Sequence, residues 1–174
     1  PSYVDANVTA GNNYQYQVRA RDANGNLSTF SNLATASPPT ELFSDGFESG
    51  DLSAWISVTG LVAQQQEAFA GSFAARGTSS GAPTYAYKQL SATQNELYYR
   101  IYFKIISQVQ TTNLLKLRTA AGSSILAIFV SNTGNLGSRN DAAGVSNFST
   151  TPVTRGAWHE LQVHAFINGT SGQT

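Results

Sequence analysis

The stretch ELYYRIYFK, Glu96 to Lys104, decides the fold. Leu97, Tyr99, Ile101 and Phe103 alternate strictly with Glu96, Tyr98, Arg100, Tyr102 and Lys104, and an extended chain sends successive side chains to opposite faces. The reading is a half-buried strand, apolar toward a core, with tyrosines and cations toward water. Whether that polar side grips something or is only the wet outside of a sheet is the functional question it raises.

Working outward, TYAYKQL, NLLKLRT, SILAIFV and WHELQVHAFI read as further strands set between glycine, asparagine and serine turns. Leu42 to Phe47 reads as a short strand and DLSAW as a single helical turn. No window holds apolar residues at i, i+3, i+4 and i+7 long enough for a sizeable helix. Short strands without intervening helices predict an all-β fold, an antiparallel sandwich or barrel.

Composition narrows the function. The 174 residues contain no cysteine and no methionine, and ten basic residues balance ten acidic ones. Without cysteine there is no disulfide scaffold and no thiolate chemistry. A net charge of zero, with only 11% charged residues, excludes a nucleic-acid binder held by a strong overall basic field. Long apolar runs are missing, so neither membrane insertion nor a signal peptide is read from this stretch. A chain without methionine cannot start translation, so a segment of a longer product is expected, with neighbouring domains of the same chain as partners. Asn-X-Ser/Thr triplets at Asn7, Asn26, Asn147 and Asn168 carry no weight in a chain this rich in those residues.

At the N-terminal end Tyr14, Tyr16, Val18 and Ala20 alternate with Gln15, Gln17, Arg19 and Arg21. Asp22 to Asn26 supplies a turn, and Ser28 to Ala36 returns as a second extended run. The pairing of Val8 with Tyr14, the strand YQYQVRA, the turn DANGNLS and the following SNLATA together resemble the last strands of a fibronectin type III domain. That resemblance covers residues 1–37 and implies that the Tyr14 hydroxyl bonds back to nearby backbone, making a corner. Only the rear part of such a domain is present, and half a sandwich buries too little to be stable alone. Residues 38–40, with two consecutive prolines, read as a linker.

From Glu41 onward LFSDGFESGDLSAW, AFAGSFAAR, ELYYRIYFK and RGAWHELQVHAFINGTSG occur in an order that resembles the concanavalin A-like lectin/glucanase superfamily. The closest type is the laminin-G-like jelly roll of secreted bacterial modular proteins. The resemblance implies that residues 41–174 form a C-terminally truncated jelly roll in a secreted or cell-surface protein; Trp55 and Trp158 are assigned to core packing.

Chemistry is sparse. GTSSG, Gly77 to Gly81, fits the nucleophile-elbow pattern, with Asp141 and His159 or His164 following in hydrolase order. An elbow needs a strand feeding a helix, whereas these flanks are loop, so Ser79 reads as an ordinary loop residue. Glucanases of the resembled superfamily use E-x-D-x-x-E, because retaining hydrolysis places two carboxyls about 5 Å apart, and no such triplet is present. Lyases on that fold combine tyrosine, histidine and arginine or asparagine; these types occur here without a matching spacing. No catalytic residue is assigned. Asp45 and Glu48 offer hard oxygen ligands that suit a structural calcium ion. The alternative has Asp51 capping the DLSAW turn, Asp45-Gly46 in a turn or bulge, and Glu48 solvated.

The expected binding face joins Tyr98, Arg100, Tyr102 and Lys104 to Lys116 and Arg118 of NLLKLRT, if Leu115 and Leu117 point inward. A pyranose ring presents an apolar face that stacks on tyrosine, and arginine forks match carboxylate or sulfate. The expected function is non-catalytic carbohydrate binding or adhesion, with an extracellular polysaccharide or glycan as partner. The alternatives are a domain of a polysaccharide lyase or glycoside hydrolase, and a purely structural spacer. Tyr102→Ala is expected to weaken glycan retention while leaving the melting curve nearly unchanged.

Overall fold

The computed structural model describes residues 2–78 and 81–168. The chain divides into two compact units, Pro1–Asp45 and Gly46–Thr174. The described residues form no helix, and every ladder is antiparallel. The first unit holds β1 (Tyr14–Tyr16) and β2 (Ala34–Ala36). The second opens with β3 (Ser57–Thr59), β4 (Leu61–Gln64), β5 (Ala74–Gly77) and β6 (Tyr85–Tyr87). It continues with β7 (Glu96–Lys104), β8 (Thr112–Arg118), β9 (Ser124–Val130), β10 (Asn135–Asn140), β11 (Val145–Pro152) and β12 (Trp158–Phe166).

In the first unit the regular ladder is shorter than the alternation predicts, for a local reason. Beyond Tyr16 the amides of Val18 and Ala20 donate to the hydroxyls of Ser31 and Ser28, at 3.1 and 2.8 Å, where a regular ladder would offer backbone carbonyls. The turn forms where expected: the Asp22 carboxylate accepts from the Asn24 and Asn26 amides, and Gly25 takes φ 91. The Thr9 amide donates to the Tyr14 hydroxyl at 2.6 Å, a tyrosine corner. No described residue of this unit is buried.

The second unit is a β-sandwich. One sheet has the order β11-β10-β9-β8 and the other pairs β12 with β7, while β3-β6 and β4-β5 make separate ladders. Phe103 and Ile105 together with Leu161 and Ala165 meet Leu126, Ile128 and Val130 in one buried cluster, against which Leu115 and Leu117 pack. The alternation in ELYYRIYFK thus runs as expected, its odd-numbered residues facing the core. The Tyr99 hydroxyl reaches across to the Leu114 carbonyl at 3.3 Å, and burial pushes its pKa up to about 12.

One local expectation fails, and another is met only as a single hydrogen-bonded turn. Leu42 to Phe47 joins no ladder, and Phe47 adopts φ 64, a left-handed conformation that a strand does not accommodate. DLSAW is a turn closed by the Trp55 amide on the Leu52 carbonyl at 3.1 Å, too short to continue as a helix. Asp51 does act at this turn, accepting from the Ser53 amide at 3.1 Å.

Candidate functional site

The β7–β12 ladder sets the outer face by register: Tyr98 opposite His164, Arg100 opposite Gln162, Tyr102 opposite Glu160, and Lys104 opposite Trp158. Tyr98 is 66% exposed. Its ring stacks on the His164 imidazole at 4.3 Å with an interplanar angle of 3°, and its hydroxyl donates to Glu96 Oε1 at 3.2 Å. His164 Nε2 lies 2.8 Å from the same oxygen. The His164 and Tyr98 contacts hold the Glu96 carboxyl below its ordinary value, and the neighbouring carboxylate raises the Tyr98 phenol. The result is an aromatic plate fixed in orientation yet open to solvent.

Farther along the strand the face is partly covered, Tyr102 remaining 36% exposed. Phe69 stacks on Tyr102 at 4.0 Å and 7°, and its ring meets Trp158 edge-on at 5.8 Å. Glu67 Oε2 pairs with Lys104 Nζ at 3.0 Å. Both residues belong to the β4–β5 connection, which is braced from within. The Gln64 side chain bonds to the Gln66 and Glu67 amides and the Glu67 carbonyl, and the Glu48 carboxylate accepts from the Ser72 and Phe73 amides. Gly71 makes room for that carboxylate, since a Cβ there would collide with it, and its φ of +70 suits glycine. Phe69 and Glu67 were not found by the strand pattern; the two phenylalanines of the glycine- and serine-bearing stretch EAFAGSF were the available signal.

The six predicted residues therefore separate. Tyr98 and Arg100 share the outer face of β7, with the Arg100 guanidinium 5.9 Å from the Tyr102 ring centre. Tyr102 and Lys104 share it beneath the loop. Lys116 lies on the other sheet, opposite Ala127, between core-facing Leu115 and Leu117. It points away from the core that both sheets share, on the far side of the sandwich from Tyr98. Arg118 sits past a bulge on the same strand and donates to the Gly122 carbonyl at 2.7 Å. Alternation correctly gave outward positions, but a sandwich has two outsides, and consecutive β7 and β8 belong to different sheets. Trp158 faces outward beside Lys104 rather than into the inter-sheet core, and Trp55 also lies outside that buried cluster.

Glu48 presents its oxygens to amide donors, which lowers its pKa, with Phe73 the larger cause and Ser72 next. That is a latch on the loop, and amide hydrogens stand where a cation would need lone pairs. Among the described residues no group of three or more His, Cys, Asp or Glu is placed to hold a metal ion. Asp45 lies in the first unit. Ser79 lies outside the described residues. Asp141 bonds to Ser124 and Arg139, His159 Nε2 lies 2.9 Å from the Thr154 carbonyl, and His164 pairs with Glu96, so the residues in hydrolase order have other partners.

Fold and face together define an all-β sandwich with a preorganised aromatic patch. No protein-family model matches the chain. A curated protein described as an alpha-amylase, from Niallia circulans, is 53% identical over 38 residues, which make up 22% of this chain and 3% of that protein. The chain thus matches only a small fraction of that relative's length. No solved structure matches.

Proposed function

We propose that the second unit is a non-catalytic glycan-binding module of a secreted, extracellular modular protein. It contacts polysaccharide through Tyr98 and Arg100 on the outer face of β7. The observation that carries the reading is Tyr98: an exposed ring whose plane is already set by His164 and whose hydroxyl is held by Glu96. A fixed plate loses little side-chain entropy when a sugar ring stacks on it. Arg100 beside it offers fork-shaped donors to hydroxyl or carboxylate groups. Such a small patch supports weak binding, roughly millimolar to micromolar, strengthened when several modules act together. The short similarity to a protein named an alpha-amylase supports a polysaccharide setting.

Affinity electrophoresis through gels containing starch or a uronate polymer tests this. The parent chain is expected to be retarded, and Tyr98→Ala to be retarded markedly less while its melting curve stays close to the parent's. Undiminished retardation of Tyr98→Ala removes the assignment of this face.

A further inference from the structure

The outer face of the four-stranded sheet carries a groove of about 660 Å³ that the β7 reading does not use. Its floor follows from register. Lys116, Ala127, Arg139 and Ser146 form one row across β8, β9, β10 and β11, and Asn113, Phe129, Gly137 and Phe148 form the next. Gly137 is needed here: a Cβ would come within 2.6 Å of the Phe129 ring and 3.2 Å of Phe148. With no side chain at Gly137, Phe129 lies buried against the sheet and meets Phe148 edge-on at 5.7 Å, so that Phe148, 58% exposed, is the apolar step offered to the groove.

The cation row has a different character. Lys116 and Arg139 sit on either side of the buried Ala127, and strands spaced at about 4.8 Å put their backbones roughly 10 Å apart. Arg139 uses Nε to bind Asp141 Oδ1 at 3.0 Å and keeps its side chain 52% exposed, whereas that of Asp141 is 18% exposed. Asp141 is further tied down by the Ser124 hydroxyl. The carboxylate is thus the more sheltered member, and Lys116, Arg139 and Asp141 together leave one positive charge facing the groove. Rows two residues apart along a strand are separated by about 7 Å, the span of one six-membered ring with an exocyclic carboxyl group.

We propose that this groove is a second, separate binding site, for an acidic saccharide unit whose ring lies on Phe148 while its carboxylate sits between Lys116 and Arg139. The site stands independently of the Tyr98 patch. Because the two faces are on opposite sides of the sandwich, a module with both sites bridges two glycan chains.

Titration of the isotope-labelled chain with glucuronate, glucose and acetate, followed by amide chemical shifts, tests it. Glucuronate is expected to saturate and to shift Asn113, Phe129, Gly137 and Phe148, binding about fivefold or more tighter than glucose or acetate. Lys116→Gln is expected to bring glucuronate down to the affinity of glucose, and Phe148→Ala to weaken both sugars. Tyr98→Ala is expected to leave these shifts intact. Equal affinity for glucuronate and glucose, acetate binding as tightly as glucuronate, or shifts confined to β7 and β12 each overturns the proposal.

Discussion

On the β7–β12 face the outward residues Tyr102 and Lys104 lie beneath Phe69 and Glu67, whereas on the four-stranded face Lys116 and Arg139 flank an open groove. Both faces grow from the same period-2 rule around one core. They differ in what the chain lays across them. The β4–β5 connection occupies half of the first face and leaves Tyr98 and Arg100 at the other end. On the second, a missing side chain at Gly137 lowers the floor. An outward side chain is therefore only a candidate contact, and its availability is decided by distant segments.

The strongest way to break the comparison is to remove what the faces share. Phe103 is 9% exposed and central to the inter-sheet cluster, so Phe103→Ala is expected to cost about 3–5 kcal/mol in urea unfolding. Both faces should then lose their ligands together. A small loss would mean that the sheets do not depend on this core. Tyr102→Ala sharpens the contrast within one face. It removes the Phe69 stack and is expected to lower stability by about 0.5–1.5 kcal/mol beyond the lost burial, more than Tyr98→Ala, which loses only an exposed cross-strand pair. This reverses the expectation drawn from alternation alone, in which Tyr102 was a free binding residue. Equal melting curves for the Tyr102→Ala variant and the parent would put Phe69 back in solvent.

Legibility followed the strength of the apolar pattern. ELYYRIYFK and WHELQVHAFI became β7 and β12 because one side of each faces the core and the pleat forces alternation, whereas SILAIFV became β9, a continuous apolar run buried on both faces. The NLGSRN and VSNFSTTP strands were missed because they carry little apolar signal; every residue of β11 is exposed, and its ladder rests on backbone bonds to β10. The site was half legible. Tyr98 and Arg100 could be read from β7 alone, but Arg139 could not be joined to Lys116 without knowing that β8 and β10 flank β9. Tyr14 shows the favourable case: the resemblance drawn on residues 1–37 implied a bond from its hydroxyl to nearby backbone, and the partner lies five residues upstream.

The gentlest test leaves the fold intact and lifts only the loop that distinguishes the two faces. Glu48 holds that loop through the Phe73 and Ser72 amides, and these bonds keep its carboxyl below the ordinary value of 4.5. A carboxyl depressed in the folded state contributes fully above its unfolded value. That contribution fades as the pH falls below 4.5 and is gone beneath the lowered folded-state value. Acid titration should therefore release Phe69 from Trp158 before the sandwich melts, seen as a change in Trp158 fluorescence in a Trp55→Phe background. Glu48→Gln should already show the released signal at neutral pH and lose the acid step. A titration unchanged by Glu48→Gln would mean that the loop is held by Gln64, the Glu67–Lys104 pair and the Phe69 stack, and that Glu48 is not the group whose protonation uncovers Tyr102.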